Sequence, residues 1–217
     1  MVKCIIFDFD GTLADSKDVF ISVYNQIAAK NKYRAIEPDT LAYLQTLTIN
    51  ERCRYLKVPV YRIPFLAVEF LNLYKNALQH VKLFEGIREM LQSLHREGFE
   101  TAIISSNVKS NIELFLKANE IGSITRIYCS RSLFGKDKLI KAFLKKYGMT
   151  ADQILYVGDE LRDIVACKKA GVRVAWVEWG YDIRQAVIDA DPDYLLSKPA
   201  DILSILNAEI NSQSQLN

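Results

Sequence analysis

Short apolar runs recur along the chain between longer stretches of mixed polarity. Four of the five runs show no polar alternation, which is typical of strands buried on both faces of a parallel sheet. Polar residues or glycine bound each run, so that each fits one short strand. The predicted strands are Cys4–Phe7, Thr101–Ser105, Arg126–Cys129, Ile154–Val157 and Val174–Val177.

The stretches between these runs carry apolar residues at helical spacing. Ile87, Leu91 and Leu94 fall on one face of the first such stretch, and Gly98 follows it as a C-terminal cap. The predicted helices are Gly86–Glu97, Asn111–Ala118, Lys138–Tyr147 and Leu161–Ala170. Strands that alternate with helices in this way predict an α/β fold with a doubly wound, Rossmann-like parallel sheet.

The interval between the first two predicted strands breaks this alternation. It holds more than 80 residues, mostly with helical periodicity, although a normal crossover needs only one helix. Asp15 or Ser16 can cap a first helix there, and Pro38 can open a second. Pro59 and Pro64 bracket a predicted loop before the last helix. We therefore expect an inserted helical domain at residues 15–82, an α/β core at residues 1–14 and 83–210, and a flexible polar tail at residues 211–217.

The composition is that of a globular protein and excludes several functional classes. The chain has 217 residues, of which 50% are hydrophobic and 25% charged, enough for one large domain or one domain with an insert. The net charge of +2 is small, and basic residues are not interleaved with aromatic ones, so no nucleic-acid partner is expected. No apolar run is long enough to predict a membrane span.

The cysteines and histidines further restrict the kinds of active site and metal site that the chain could form. Four cysteines, at positions 4, 53, 129 and 167, form no CxxC pair, and the N-terminus does not read as a signal peptide. Both features predict a reduced, cytoplasmic protein. The only two histidines lie in helical stretches, so neither a histidine-ligated zinc site nor a Ser-His-Asp triad is expected.

Two carboxylates follow the first predicted strand directly. Asp8 and Asp10 are two residues apart, so both leave the strand end on one side while Phe9 points the other way. Gly11 and Thr12 then turn the chain. Buried acids are costly unless they are compensated, and a divalent metal ion with a phosphate-like substrate would compensate them. The alternative, an ordinary turn, needs only one such aspartate.

Polar groups also follow the second and third predicted strands, at the edge where open α/β sheets bind ligands. Ser105, Ser106 and Asn107 could hold phosphate oxygens, or they could simply cap a helix. Lys136 could neutralise phosphate charge, or it could lie in a solvated loop.

Two more carboxylates follow the fourth predicted strand. Asp159 and Asp163 are four residues apart on the first turn of a helix, so both can point the same way. An acidic first turn that complements the helix dipole explains Asp163 adequately. It explains Asp159 poorly, because Asp159 comes directly after a buried strand. Together, four strands bring acids, hydroxyls and a lysine to one edge of one sheet.

These motifs resemble those of the haloacid dehalogenase-like superfamily of phosphohydrolases. In chain order, the four family motifs correspond to Asp8-Phe9-Asp10-Gly11-Thr12, Ser105, Lys136 and Gly158-Asp159-xxx-Asp163. The helical insert after the first motif resembles the cap of the phosphoglycolate-phosphatase-like subgroup. The resemblance spans nearly the whole chain. It implies a Rossmann-like core with an α-helical cap, and a Mg²⁺-dependent phosphatase that acts on a small phosphorylated metabolite.

The resemblance also implies roles for individual residues. Asp8 would form an aspartyl-phosphate, and Asp10 would act first as general acid and then as general base. Mg²⁺ would bind the Asp8 carboxylate, the Asp10 backbone carbonyl and Asp159. The groups implied to hold or support the phosphate are Gly11, Ser105, Ser106 and Lys136, with Thr12, Asn107 and Asp163 behind them.

Some assignments stay open at this point. Lys138 is a second candidate for the active-site lysine, because the third motif lacks the Lys-Pro-x-Pro of many relatives. A sugar-phosphate mutase of the same superfamily, which usually carries an acidic residue where Gly158 stands, is an alternative function, and so is a catalytically silent phosphate-binding protein. In the cap, Arg52 and Arg54 could bind an anionic tail such as the carboxylate of phosphoglycolate, or could lie on a solvated face. The pattern predicts no oligomeric state.

Overall fold

The computed structural model describes residues 1–130 and 135–214. The strands are β1 (Cys4–Phe7), β2 (Ala14–Asp15), β3 (Lys82–Leu83), β4 (Glu100–Ser105), β5 (Arg126–Cys129), β6 (Ile154–Gly158), β7 (Arg173–Val177) and β8 (Tyr194–Leu196). Six of them form one parallel sheet in the order β5-β4-β1-β6-β7-β8. Strands β4 and β5 extend the sheet on one side of β1, and strands β6, β7 and β8 then extend it on the other side. Ligands bind beyond the carboxyl ends of the strands at such a reversal.

Helices cover both faces of this sheet. They are α1 (Lys17–Asn31), α2 (Pro38–Gln45), α3 (Ile49–Tyr55), α4 (Ile63–Ala77), α5 (Ile87–Arg96), α6 (Lys109–Ala118), α7 (Lys136–Tyr147), α8 (Leu161–Ala170), α9 (Arg184–Val187) and α10 (Asp201–Ser214). Apolar side chains of α5, α6 and α10 pack on one face, and those of α7, α8 and α9 pack on the other. The predicted doubly wound α/β fold is therefore confirmed.

The central strand explains why the predicted strands lack polar alternation. Ile5 and Phe7 pack into the cluster on one face of the sheet, while Cys4 and Ile6 pack into the cluster on the opposite face. Successive side chains of a strand point to opposite faces, so a strand covered on both sides needs apolar residues at every position.

Helices α1–α4 form the segment inserted between β2 and β3. These two short strands pair antiparallel, Ala14 with Leu83 and Asp15 with Lys82, and so hold the two ends of the segment together. The segment has a small apolar cluster of its own, built around Ile36, Leu44, Leu56 and Val58. The ends of the segment coincide with the predicted limits of the insert, and the division into two domains remains a prediction.

The structure differs from the sequence-based expectations in a few places. Strand β8 and the β2–β3 pair were not predicted, because runs of two or three residues carry no readable periodicity. Pro64 does not end a loop but lies in the first turn of α4, where its missing N–H costs no helical hydrogen bond. Helix α10 runs through Ser214, so residues 211–214 of the expected flexible tail are helical.

Two further observations concern the cysteines and the possibility of a membrane-spanning helix. All four cysteines are free thiols. Within residues 1–130 and 135–214, none of the helices combines the length and the apolar character that a membrane span requires.

Candidate active site

A buried lysine joins two carboxylates at the carboxyl end of β1. Asp8 is 1% exposed, and its Oδ2 accepts a hydrogen bond of 2.8 Å from the Nζ of Lys136. The same ammonium group forms an ion pair with Asp163, on the first turn of α8. Burial opposes the charged lysine, but Asp163 and Asp8 outweigh it and raise the pKa of Lys136 above its usual value. Lys138, the second candidate, is exposed.

Asp10 lies between the core and the inserted helices. Its Oδ2 accepts a hydrogen bond of 2.8 Å from the Asn107 side-chain amide, and its Oδ1 accepts one of 2.5 Å from the Tyr74 hydroxyl. Burial raises the pKa of Asp10, the two hydrogen bonds oppose that rise, and the neighbouring Asp8 adds to it. A carboxyl group with a raised pKa suits proton donation. Tyr74 belongs to α4, so the insert contacts the site directly.

The residues after β4 form a tight turn at the edge of the site. The buried Ser105 hydroxyl accepts a hydrogen bond of 3.0 Å from the Asn107 backbone N–H. Ser106 accepts one of 3.4 Å from the guanidinium of Arg162. Ser106 and Asn107 line the cavity above the site, whereas Ser105 does not. Of the predicted phosphate-binding groups in this turn, Ser106 lines the cavity, whereas the Ser105 side chain is used within the turn.

Asp159 is a fully buried carboxylate with neutral partners. Its Oδ1 accepts a hydrogen bond of 2.9 Å from the Thr12 hydroxyl, and its Oδ2 accepts one of 2.8 Å from the Tyr181 backbone N–H. Two indole groups fix the adjoining backbone, since Trp176 donates to the Asp159 carbonyl at 2.7 Å and Trp179 donates to the Thr12 carbonyl at 3.0 Å. These bonds position the loops that follow β1 and β6.

The electrostatic environment of Asp159 is unfavourable for an isolated carboxylate. Burial, with repulsion from Glu160, Asp8 and Asp163, raises the pKa of Asp159 well above its usual range. Among the described residues, no cationic side chain forms an ion pair with Asp159. A hard divalent cation with oxygen ligands would relieve this repulsion. The donor set therefore fits the metal that the sequence implies.

Two glycines allow the backbone to approach Asp159. A Cβ added at Gly11, whose φ is +79°, would lie 2.2 Å from the Oδ2 of Asp159. A Cβ added at Gly180 would lie 2.1 Å from the Asp159 Cβ. Both distances are far below van der Waals contact, so neither position has room for a side chain. Gly180 was not identified from the sequence, because its partner is more than 20 residues away.

A second acidic group includes Glu160, which was also missed. Carboxylate oxygens of Asp8, Glu160 and Asp163 lie within 4.8 Å of one another. Lys136 forms ion pairs with two of these residues, and Arg162 pairs with Glu160. Because cations already neutralise this group, it is a weaker metal site than the group around Asp159. Glu160 and Arg162 lie inside the fourth motif and could have been proposed on that ground.

The two arginines of α3 differ in environment, and only Arg54 lies on the solvated face that was left open as an alternative. Arg52 forms an ion pair with the buried Asp182, lies 3.7 Å from Glu160, and stacks over the Tyr181 ring. Its guanidinium is therefore engaged by the core and not free to bind a substrate carboxylate. Arg54 is exposed and does not line the cavity, so its expected role in substrate binding is not supported.

A cavity of about 420 Å³ connects these groups to the inserted helices. Its floor consists of Asp10, Gly11, Ser106, Asn107 and Asp159, and its upper walls come from α1–α4. Asp8 and Lys136 are buried and are not among its lining residues. The charged groups of the sheet edge and the insert thus enclose one space.

Comparisons with known proteins agree with this architecture. Residues 5–177 match the family described as haloacid dehalogenase-like hydrolase. A phosphoglycolate phosphatase from Synechococcus elongatus is 29% identical over 203 residues, which cover 93% of this chain and 96% of that protein. Pyrophosphatase PpaX from Anoxybacillus flavithermus is 27% identical over 221 residues, with coverages of 94% and 97%. The crystal structure of a predicted phosphatase from Clostridium acetobutylicum has a TM-score of 0.82 at 18% identity, and covers 95% of this chain and 99% of that one.

The chain belongs to the haloacid dehalogenase-like hydrolase family, since the match covers well over half of its length. The resemblance inferred from the four motifs is confirmed. The similarity to the solved structure, at 18% identity, supports the fold alone.

Proposed function

We propose that the chain is a magnesium-dependent phosphomonoester hydrolase that acts on a small phosphorylated metabolite through an aspartyl-phosphate on Asp8. The observation that carries this proposal is the contact of 2.8 Å between Asp8 and Lys136 at the carboxyl end of β1. An ammonium group there holds the carboxylate oxygen in place for attack. It would also offset the negative charge on the phosphoryl oxygens during transfer.

The reaction would proceed in two displacements. A carboxylate oxygen of Asp8 forms a bond to phosphorus while the bond to the ester oxygen breaks, and Asp10 donates a proton to the departing alcohol. Water then attacks the phosphorus, Asp10 takes the proton from that water, and the bond to Asp8 breaks to release inorganic phosphate. The raised pKa of Asp10 supports its role as the proton donor.

The metal would be held by the Asp8 carboxylate, the Asp10 backbone carbonyl and Asp159. When bound, a divalent cation supplies positive charge that orients and polarises the phosphoryl oxygens. Thr12, Tyr181 and the two tryptophans hold Asp159 and the adjoining backbone in place. The burial of this edge strengthens each of these electrostatic interactions, because water screens them less there.

Asp8 is 1% exposed and does not line the cavity, so we infer that a movement admits the phosphate group to it. We propose that residues 15–82 act as a cap that opens and closes over the site. Polar contacts join this segment to the core, among them those of Tyr74 with Asp10, Arg52 with Asp182, and Gln45 with the Tyr181 carbonyl. Breaking these contacts would open the cap, and re-forming them would exclude water during the reaction.

The mutase alternative is less well supported. The superfamily mutases usually carry an acidic residue at the position of Gly158. Here a Cβ at Gly158 would lie 2.6 Å from the Oδ2 of Asp163, whose carboxylate pairs with Lys136. The position has no room for a larger side chain, which favours hydrolysis.

The proposal is tested by phosphate release from p-nitrophenyl phosphate, phosphoglycolate and pyrophosphate, with Mg²⁺ and after exhaustive chelation. Release that needs Mg²⁺ is expected from the monoesters. Tryptophan fluorescence gives a second readout, because Trp176 donates to the Asp159 carbonyl and should respond when Mg²⁺ binds. Asp159→Asn should abolish this response. The exposed Asp152→Asn is the matched control and should leave it unchanged.

Two results would contradict the proposal. Full activity after chelation, with no fluorescence response to Mg²⁺, would remove the metal from the mechanism. Failure of the wild-type protein to release phosphate from any monoester would favour the silent phosphate-binding alternative.

A further inference from the structure

The part of the cavity that is lined by apolar side chains of the inserted segment forms an apolar chamber. Its walls are side chains of the inserted segment, represented by Ile27, Ile36, Leu44, Leu56, Val58 and Leu66. Tyr24 also lines it, but its hydroxyl donates to the Arg34 carbonyl at 2.8 Å and is committed there. The chamber therefore offers apolar contact area and few hydrogen-bonding groups.

The charges on the cavity wall do not favour an anionic substrate tail. Among the residues that the structure describes, three cationic ones line the cavity, and two of them, Arg52 and Arg162, are already paired with carboxylates. Lys17 has no ion pair among the described residues. It lies in the first turn of α1 together with Asp18, and Asp15 of β2 precedes the helix; both acids also line the wall. Among the described lining residues, acidic ones outnumber basic ones, so a carboxylate would meet more repulsion than attraction there.

The size of the cavity exceeds the needs of a two-carbon acid. Its volume is about 420 Å³, and cavities that enclose drug-sized ligands measure roughly 300–1,000 Å³. The organic part of phosphoglycolate would leave most of the chamber unfilled. Apolar walls gain free energy from a ligand in proportion to the apolar area that leaves water.

We propose that the preferred substrate is a phosphate monoester whose organic part is an apolar alkyl or aryl group that fills this chamber. The inference rests on the proposed phosphatase function and names the substrate class of the same site. The phosphate would be held at the sheet edge, and the apolar group would extend between α1, α3 and α4. Selectivity would then depend on buried apolar area and not on recognition of a charged tail.

A series of n-alkyl phosphates from propyl to octyl tests this proposal. The alcohols released have nearly the same acidity, so changes in kcat/KM along the series report binding of the alkyl group. Each added methylene should raise kcat/KM by up to about fourfold until the chamber is filled. Alkylphosphonates of the same lengths, whose carbon–phosphorus bond is not hydrolysed by this route, should inhibit with the same trend.

A variant that fills the chamber provides the structural control. Ala67 lines the cavity from α4, whereas its neighbour Val68 is 50% exposed and does not line it. Ala67→Phe should remove the dependence on chain length while hydrolysis of propyl phosphate continues. Val68→Phe should keep the wild-type dependence. If Ala67→Phe does not fold, as judged by thermal unfolding, inhibition of the wild-type protein by the phosphonate series tests whether the chamber binds alkyl groups.

The outcomes separate this inference from the proposed function. Hydrolysis of short phosphates with kcat/KM that stays flat or falls along the series would overturn the apolar substrate class and leave the phosphatase intact. Preference for phosphoglycolate over hexyl phosphate would do the same. If no monoester is hydrolysed, the phosphatase proposal fails. The chamber is then tested by phosphonate binding, read from the fluorescence of Trp179 on the cavity wall, and equal affinity at all lengths would overturn it.

Discussion

The edge of the parallel sheet and the apolar chamber of the insert are two ends of one cavity, and they are built in opposite ways. At the edge, Asp8, Asp10 and Asp159 are each held by named hydrogen bonds or ion pairs. In the chamber, the walls are mostly aliphatic side chains, which have no hydrogen-bonding groups, and the Tyr24 hydroxyl is committed to the Arg34 carbonyl. Directional hydrogen bonds and charges therefore define the binding properties of the edge, whereas shape and apolar area define those of the chamber.

This difference assigns different tasks to the two ends. A buried charge is tolerated only with partners in good geometry, so a small displacement at the edge changes the chemistry. Apolar contacts are non-directional, so the chamber can accept a range of organic groups with graded affinity. We therefore expect substitutions at the edge to change the rate of hydrolysis, and substitutions in the chamber to change which ester is hydrolysed.

The largest expected effect is that of Asp8→Asn. Asparagine keeps the size of the side chain but removes the attacking charge, so hydrolysis of every ester should fall by roughly 10³-fold or more, the scale seen when a nucleophile is removed. Phosphate release measures the effect, and circular dichroism confirms that folding is intact. A folded variant with more than about a tenth of the wild-type rate, far above that scale, would exclude the covalent mechanism.

The two lysines of α7 provide the next test of the edge. Lys136→Ala removes the cation that contacts Asp8 and Asp163, and should lower kcat by about 10²- to 10³-fold, as expected for the loss of one electrostatic group from an active site. Lys138→Ala, two residues away and exposed, should have no effect on kcat. Steady-state kinetics of both variants decide which lysine belongs to the active site. A loss of kcat confined to Lys138→Ala would assign that role to Lys138 instead of Lys136.

A smaller effect is expected where the backbone approaches Asp159. Gly180→Ala places a Cβ within 2.1 Å of the Asp159 Cβ and must displace that side chain. A displacement of about 1 Å can cost about 10²-fold in rate, so we expect a loss of roughly that size together with weaker Mg²⁺ binding. Gly122→Ala is the control, because no atom lies within 4 Å of a Cβ there. Similar Mg²⁺ affinity in both variants would show that Asp159 does not hold the metal.

The smallest effect on activity is expected at the contact between the cap and the core. Arg52→Ala leaves the buried Asp182 without its cation, which should lower the free energy of unfolding by about 3 kcal/mol. The exposed Arg54→Ala should change it by less than about 0.5 kcal/mol. Thermal and denaturant unfolding measure both.

The same two variants also test substrate recognition. Because Arg52 is engaged by Asp182 and Glu160, its replacement should change kcat/KM for phosphoglycolate and p-nitrophenyl phosphate to the same extent. A loss for phosphoglycolate alone would show that Arg52 binds the carboxylate, and would count against an apolar substrate.

Motifs at strand ends were the most predictable part of the site. Asp8, Asp10 and Asp159 directly follow buried strands, and strand ends in a parallel sheet meet at one edge. The start of α7 was less predictable, because helical periodicity alone placed it at Lys138. Gly135, with a φ of +84°, allows the helix to begin at Lys136, and this shift of two residues decides which lysine contacts Asp8.

The contacts made by the insert could not be predicted from local patterns. Tyr74 reads as one of several apolar positions on a helix, yet its hydroxyl contacts Asp10 across 64 positions of sequence. Arg52 reads as one of several surface cations, yet it pairs with Asp182 across 130 positions. No spacing in the sequence identifies Asp10 as the partner of Tyr74 or Asp182 as the partner of Arg52, because both contacts depend on how the insert folds back over the sheet.

The sequence by itself determined the strand–helix alternation, the position of the insert and the acids at the strand ends, because periodicity and strand termini are local properties of the chain. Only the tertiary structure decided which lysine meets Asp8, what Arg52 binds, and that the cavity above the site opens into an apolar chamber. Ion pairs and cavities arise between segments that are distant in sequence, so their composition depends on packing and not on any local pattern.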